Sequence, residues 1–231
     1  MPTARFGSIE FSRATRFTVV LPDTPPPRTG FPLVVLLHGA RDDGQRLRER
    51  LARLESGPFA LLFPDAPFPV EVREPPAPRI GFTWYQYTGD AAAFTRAMEE
   101  TGAHLDRLIA QVVAEHRLDP RKVVLLGYSQ GGYLAAYHAL RNVGRFAGLV
   151  ALACRVKVEA LEDALPRARG FPVLVVHGRN DEFVKWDAQE RAVGVLTSHG
   201  VAVETHLTDG GHGLKPELGD RIGEFIARVV G

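Results

Sequence analysis

The chain has 231 residues, with 28 Lys and Arg against 27 Asp and Glu, so its formal net charge is +1. Hydrophobic residues make up 45% and charged residues 24%, proportions that are typical of a packed globular chain and exclude wholesale disorder. The balanced charge lacks the basic excess of a nucleic-acid-binding protein. Cys154 is the only cysteine, which excludes an internal disulfide and a cysteine-based zinc site.

The N-terminal ten residues lack the apolar segment of a secretory signal. No apolar run approaches the roughly 18 residues that a membrane-spanning helix needs. We therefore expect a cytoplasmic protein without a membrane span, folded as one domain over residues 1–231. The sequence leaves open whether it is a monomer or a homodimer.

Short apolar segments alternate with amphipathic ones along the chain. The apolar segments predict β-strands at residues 17–21, 33–37, 59–63, 123–126, 147–153, 172–176 and 201–207. Helices are predicted around Leu47, Leu51 and Leu54 and over residues 90–115, 134–140, 187–198 and 216–230. This alternation predicts an α/β fold, a mostly parallel twisted sheet with helices on both faces. Residues 64–87 are rich in proline and aromatic side chains without periodicity, so we expect a long functional loop there.

The strongest candidate for chemistry is Gly127-Tyr128-Ser129-Gln130-Gly131, which follows a predicted buried strand and precedes a helix. A serine in such a strand–turn–helix lies on strained backbone with its hydroxyl exposed at the top of the sheet. Glycines two positions before and after it let the strand and the helix approach closely. The motif by itself is also compatible with a tight turn that carries a surface serine, but its context favours a nucleophile.

A serine nucleophile needs a base and a carboxylate that orients the base. Asp181 lies just past the strand at 172–176, at the sheet edge where such sites form, with adjacent Glu182 as an alternative. His212 follows the last strand in a glycine-rich loop and is the predicted base. His206 is a rival only if that strand ends early.

The remaining histidines are weaker candidates for the catalytic base. We expect His38 and His177, which each end a strand before glycine, to be hydrogen-bonding turn residues. The other histidines lie on predicted helices and are expected to be solvated or packed: His104, His116, His138 and His199.

An oxyanion hole requires two N–H donors. The residue after the nucleophile, Gln130, is one candidate. Ala40, in the loop after the strand at 33–37, is the other.

With these residues taken together, the chain resembles an α/β-hydrolase of the phospholipase/carboxylesterase family, which includes acyl-protein thioesterases and small bacterial carboxylesterases. The resemblance is carried by five segments: Leu36-Leu37-His38-Gly39, Phe63-Pro64-Asp65-Ala66-Pro67, Gly127-Tyr128-Ser129-Gln130-Gly131-Gly132, His177-Gly178-Arg179-Asn180-Asp181 and Gly211-His212. It implies a Ser129–His212–Asp181 triad with oxyanion donors at Ala40 and Gln130. It also places Trp84 where the family carries an aromatic residue of the lid loop. We expect Trp84, Phe82, Arg41 and Phe183 to contact the substrate.

Two positions depart from the family pattern. Arg41 stands where the family commonly has glycine. It either points to water, restricts the backbone of the oxyanion loop, or places a cation near the acyl or leaving group. Cys154 stands where the family strand usually ends in Ser-Gly, and is interpreted as a buried, inert thiol.

Together these residues predict a serine carboxylesterase that works through an acyl-enzyme. Thioesterase or lysophospholipase-type activity is the main alternative, because the same residues serve both leaving groups. A non-catalytic binding protein of the same fold and dehalogenase-like chemistry are weaker alternatives: no triad member is missing, and a serine stands where dehalogenases use aspartate. No phosphate-binding, dinucleotide or zinc-protease motif occurs, so we expect neither a cofactor nor a metal. The expected partner is a small ester or thioester.

Overall fold

The computed structural model describes residues 14–231. Residues 1–10, whose sequence does not predict a secretory leader, lie outside the described part of the chain. Within residues 14–231 no helix is both long and apolar enough to span a membrane.

The described residues form nine strands and five α-helices. The strands are β1 Phe17–Val20, β2 Leu33–Leu37, β3 Ala60–Pro64, β4 Phe68–Val72, β5 Arg79–Thr83, β6 Val123–Tyr128, β7 Gly148–Leu152, β8 Pro172–Gly178 and β9 Ala202–Thr208. The helices are α1 Gly44–Arg50, α2 Ala91–His116, α3 Gln130–Arg141, α4 Trp186–Ser198 and α5 Leu218–Val230. The helix predicted around Leu47 continues past α1 as a 3-10 segment, Ala52–Ser56.

Seven strands form one sheet in the order β1-β3-β2-β6-β7-β8-β9. Only β1 at the edge runs antiparallel to its neighbour, β3; the other pairs are parallel. Side chains that alternate along each strand enter two apolar clusters, one with α2, α3 and α4 and one with α1 and α5. The sheet is therefore covered on both faces, which explains strands that are apolar at every position and confirms the predicted fold class.

The prediction of a loop over residues 64–87 is wrong in part. Strands β4 and β5 pair antiparallel as a separate hairpin, with Pro69 opposite Phe82. A two-stranded ribbon has only edge strands, so a proline without an N–H donor is tolerated there. The prolines conceal the strand pattern in the sequence.

The parallel arrangement brings distant segments to one edge of the sheet. Ser129 follows β6, Asp181 comes shortly after β8, and His212 comes shortly after β9. Ala40 follows β2. Because the carboxyl ends of parallel strands meet at the same edge, all four residues lie at the topological position where α/β sheets bind ligands.

Helix α3 begins in close contact with β2 and β6. A Cβ atom at Gly127 would lie 2.2 Å from the Gly131 carbonyl oxygen, and one at Gly131 would lie 2.3 Å from that of Leu37. These distances leave no room for a methyl group, so both glycines are required by the approach of backbone to backbone.

We predict that Gly127→Ala lowers the free energy of unfolding by about 1–3 kcal/mol, because the added methyl group overpacks a site bounded by backbone. Gly144→Ala is the matched control, since no atom of the described residues would lie within 4 Å of a Cβ atom there. Urea unfolding followed by circular dichroism measures both. Equal midpoints for the two variants would contradict the packing argument.

Candidate active site

Ser129 lies at the junction of β6 and α3 with backbone angles φ 50° and ψ −118°. A positive φ is rare for a residue with a side chain, and here the neighbouring structure fixes it. The Ser129 N–H donates to the Leu152 carbonyl of β7 at 2.9 Å. Ser129 therefore has the strained backbone that the sequence motif predicts.

The three residues of the predicted triad form one continuous hydrogen-bonded chain. His212 Nε2 is 2.9 Å from Ser129 Oγ, and His212 Nδ1 is 2.7 Å from Asp181 Oδ2. The Asp181 side chain is fully buried, whereas 18% of the His212 side chain is exposed. A carboxylate on Nδ1 leaves Nε2 free to accept the serine proton.

The Asp181 carboxylate is held by more than the imidazole. Its Oδ1 accepts hydrogen bonds from the N–H groups of Phe183 and Val184, each at 2.9 Å. Burial acts to raise the pKa of Asp181, but the hydrogen bonds from Val184 and His212 outweigh it and hold the pKa below its ordinary value. Glu182, the alternative acid, is exposed, and the carboxylate that contacts His212 is that of Asp181.

Tyr128 supports the loop that carries His212. Its hydroxyl donates to the His212 carbonyl at 3.0 Å, and the two rings lie 5.3 Å apart. Burial raises the pKa of Tyr128, which keeps the hydroxyl protonated as a donor. This contact could not be found from the sequence, because a tyrosine next to a nucleophile carries no pattern that identifies its partner.

Hydrogen bonds from the side chains of His38 and Trp84 fix the loop after β2. His38 Nδ1 donates to the Gly39 carbonyl at 2.7 Å, and Nε2 accepts from Ala66 N–H at 2.9 Å. Burial lowers the pKa of His38, which favours the neutral ring that this pattern requires. The Trp84 Nε1–H donates to the His38 carbonyl at 2.8 Å.

Trp84 and Phe82, both expected to contact the substrate, are buried in the structure. Trp84 is fully buried and Phe82 is nearly so, and neither side chain lines the depressions at Ser129. Both residues belong to packed structure beneath the site instead of to a lid over it. The backbone of Phe82 contributes to the site by accepting from Arg41 N–H and donating to the Asp42 carbonyl, both at 2.8 Å.

The Gln130 side chain ties the hairpin to the nucleophile. Its Oε1 accepts from Thr83 Oγ1 at 2.8 Å and from Trp84 N–H at 2.9 Å, while Nε2 donates to the Tyr85 carbonyl at 2.9 Å. The sequence predicts only a backbone role for Gln130. The side chain adds a second role, because it fixes the segment that follows β5 against the start of α3.

Two depressions meet at Ser129. The first, termed the basic cleft, has a volume of about 390 Å³. It is lined by Gly39, Ala40, Arg41, Asp42, Arg46, Arg50, Glu74, Arg79, Tyr128, Ser129, Phe183 and His212. The second, termed the aromatic cavity, has a volume of about 370 Å³ and is lined by Tyr85, Tyr87, Phe94, Ser129, Gln130, Tyr133, Arg155 and Lys157.

Arg41 and Phe183 lie where substrate contact is expected. Phe183 is 81% exposed, and its ring centre lies 5.1 Å from that of His212. Arg41 has a positive φ of 64° and extends into the basic cleft. Ala40, a predicted oxyanion donor, lines the same cleft as Ser129.

Cys154 lies below the nucleophile and is not exposed to the cleft. Burial, with a smaller contribution from the Asp181 charge, raises its pKa to about 12. Its sulfur packs against Gly132, where a Cβ atom would lie 2.6 Å from Sγ. Cys154 is therefore a buried neutral thiol.

The imidazole that hydrogen-bonds to Ser129 is that of His212, and the other histidines described here have different partners. His206 pairs with Val176 inside β9, which removes it as a rival base. His177 Nε2 donates to the Val184 carbonyl at 2.7 Å and so braces the Asp181 loop. Among residues 14–231, no group of three or more His, Cys, Asp or Glu side chains is arranged to hold a metal ion.

Comparison with models of known protein families shows which family the chain belongs to. The model of the phospholipase/carboxylesterase family matches residues 17–230. The chain belongs to the phospholipase/carboxylesterase family. This family contains esterase- and thioesterase-type α/β-hydrolases.

The individual proteins that match this chain differ from it at most aligned positions. Over 103 residues the chain is 31% identical to acyl-protein thioesterase 1 of Cryptococcus neoformans var. neoformans serotype D, a stretch that is 44% of this chain and 43% of that protein. The match therefore spans less than half the length of this relative. Among solved structures, esterase PE8 is 28% identical with a TM-score of 0.71, covering 89% of this chain and 96% of that one. Acyl-protein thioesterase 2 of Zea mays, at 23% identity, has a TM-score of 0.69 with 94% and 99% covered, and shows the shared fold.

We predict that Asp181→Asn lowers the free energy of unfolding at pH 7 by about 1.5–3 kcal/mol, because the hydrogen bonds to this side chain lose their charged acceptor. The folded-state pKa of Asp181 is below its ordinary value of 3.8. The stabilisation is therefore complete well above pH 4 and is lost as the pH falls through the folded pKa. Urea unfolding at pH 7, 5 and 3 measures it.

Exposed Asp23 provides the matched control, because Asp23→Asn removes a charge at the surface. The difference between wild type and Asp181→Asn should shrink at pH 3, while Asp23→Asn should stay close to wild type throughout. A difference for Asp181→Asn that does not change with pH would contradict the assignment.

Proposed function

We propose that this protein is a serine carboxylesterase that hydrolyses esters through an acyl-enzyme. The observation that carries the proposal is the hydrogen-bonded chain from Ser129 through His212 to buried Asp181, with distances of 2.9 and 2.7 Å. This is the geometry that a serine nucleophile, a general base and an orienting carboxylate require.

In the first half-reaction Ser129 Oγ forms a bond to the ester carbonyl carbon, and its proton moves to His212 Nε2. The carbonyl oxygen becomes an oxyanion. As the oxyanion collapses, the bond to the leaving oxygen breaks and His212 donates its proton to that oxygen. Asp181 stabilises the imidazolium while it carries the proton.

In the second half-reaction water replaces the alcohol. His212 takes a proton from water, the hydroxide oxygen bonds to the acyl carbon, and collapse releases the carboxylic acid as Ser129 Oγ regains the proton. The N–H groups of Ala40 and Gln130 are the proposed oxyanion donors. Gln130 is the first residue of α3, where N–H groups lack intrahelical acceptors and the helix dipole favours an anion.

Thioester hydrolysis is the second candidate. The similarity to an acyl-protein thioesterase over part of the chain favours it, and the same residues would protonate a departing thiolate. An ester and a thioester with the same acyl group differ only in the leaving group. Which of the two is hydrolysed faster therefore depends on how the depressions at Ser129 bind the substrate.

We predict that Ser129→Ala lowers kcat/KM for 4-nitrophenyl acetate by about 10³-fold or more and abolishes labelling by a fluorophosphonate probe. Ser198→Ala, at the exposed end of α4, is the control and should keep both properties. Unchanged activity of Ser129→Ala would overturn the proposed function. Absence of labelling in the wild type would favour a binding protein instead.

The aromatic cavity predicts a preference for short acyl chains. Lys157 lines one side, with Nζ 4.4 Å and 4.3 Å from the ring centres of Tyr87 and Phe94. Each methylene gains about 0.8 kcal/mol only while it is buried, so a chain that outgrows the cavity gains nothing further.

We predict that kcat/KM reaches its peak between C2 and C6 acyl groups and does not rise further by C12, for esters and thioesters alike. Acyl-length series of 4-nitrophenyl esters and of matched thioesters measure this preference and the ratio between the two activities. Lys157→Ala should move the peak to longer chains. A peak at C12 to C16 in the wild type would contradict the cavity argument and support a lipid-directed thioesterase.

A further inference from the structure

Only one of the two depressions can hold the leaving group of an ester. His212 must pass its proton to the departing oxygen, so that oxygen must lie within hydrogen-bond distance of Nε2. His212 lines the basic cleft and is absent from the lining of the aromatic cavity, while Ser129 lines both. The leaving group is therefore assigned to the basic cleft and the acyl group to the aromatic cavity.

Guanidinium groups dominate the charge of the basic cleft. Two carboxylates, those of Asp42 and Glu74, face four arginines. Asp43 does not line the cleft, but its Oδ2 lies 4.0 Å from Arg79 Nη1 and adds a third carboxylate near the arginines. The arginines are Arg41, Arg46, Arg50 and Arg79.

The carboxylates do not use up the donors of these arginines. Asp42 is shared, with Oδ1 3.0 Å from Arg46 Nε and Oδ2 2.7 Å from Arg50. A guanidinium carries five N–H donors, so most of them remain available after one such contact. Arg79 Nη1 is buried and has no hydrogen-bond partner among residues 14–231. Because this nitrogen is inaccessible, a ligand in the cleft would contact the other nitrogens of the Arg79 guanidinium, whose side chain is 28% exposed.

The backbone conformation of Arg41 is a separate observation about the basic cleft. Its φ of 64° is a conformation that glycine adopts without cost and that other residues adopt at a cost. The chain nevertheless has a long cationic side chain there, 55% exposed and 3.1 Å from the similarly exposed carboxylate of Glu74. Strain of this kind recurs at functional positions, and here Arg41 shares it with Ser129, the proposed nucleophile, which lines the same cleft.

We propose that the basic cleft binds a leaving group that carries an anionic oxygen group, so that the favoured substrates are esters of alcohols or phenols bearing a carboxylate, sulfonate or phosphate. Guanidinium groups match the planar or tetrahedral oxygens of these anions with paired hydrogen bonds. This inference rests on the proposed serine hydrolase function, because it uses His212 to identify the leaving-group side.

The test compares 4-acetoxy-3-nitrobenzoate with its methyl ester, which share an acetyl group and a nitrophenol leaving group and differ by one negative charge. Sulfonate and phosphate analogues of the first compound identify which anion fits best. We expect Arg41→Gln and Arg79→Gln each to lower the anionic-to-neutral ratio of kcat/KM by about fivefold or more. The intrinsic difference in reactivity between the two esters is the same for every variant, so it cancels when the ratio of a variant is compared with that of the wild type.

Arg107→Gln, on the exposed face of α2, is the matched control and should leave the ratio unchanged. Arg41→Lys keeps the charge and should restore part of the preference. The wild-type ratio should also fall between 0.05 and 0.5 M salt, since screening weakens exposed charge contacts; this measurement does not depend on how any variant folds.

The outcomes separate the two proposals. If the neutral ester is hydrolysed in a Ser129-dependent manner but the ratio responds neither to salt nor to Arg41→Gln and Arg79→Gln, the arginines only stabilise the loop and this inference fails alone. If neither ester is hydrolysed, or Ser129→Ala hydrolyses both, the proposed function itself fails.

Discussion

At the start of α3 the backbone of the helix lies against the backbones of β2 and β6. The distances leave no room for a methyl group on Gly127 or Gly131. This close approach forces Ser129 into its positive-φ conformation and directs Oγ out of the sheet towards His212. It also places the first N–H groups of α3 beside the loop after β2. The nucleophile, the helix N-terminus and the loop that carries Ala40 are therefore positioned by one packing constraint, which only glycine at both positions satisfies.

A buried polar network extends this constraint to the hairpin. Gln130 holds the segment after β5, and Trp84 in that segment donates to the His38 carbonyl. The Phe82 backbone accepts from the Arg41 N–H and donates to the Asp42 carbonyl. Each of these polar groups has a partner, so the network favours one arrangement of the loop. Preorganised donors are what stabilisation of a developing oxyanion requires.

Much of the site could be predicted because its parts follow the ends of strands. The order of Ser129, Asp181 and His212 along the chain, together with the parallel sheet, is enough to predict that the three lie at one edge. The hairpin β4–β5 could not be predicted, because its prolines hide the alternation of its strands. The burial of Trp84 could not be predicted, because it depends on tertiary contacts that a single aromatic residue does not encode. The side-chain role of Gln130 and the contact from Tyr128 to His212 escape prediction for the same reason.

Arg41 belongs by its backbone to the loop of the proposed oxyanion donor and by its side chain to the basic cleft. Glycine, which the family commonly has at this position, would remove the charge and would also relieve the cost of the positive φ. Leaving-group preference and turnover therefore cannot vary independently at this position. New specificity should arise more readily at Arg46, Arg50 and Glu74, which line the same cleft from outside the loop and leave its backbone unaltered.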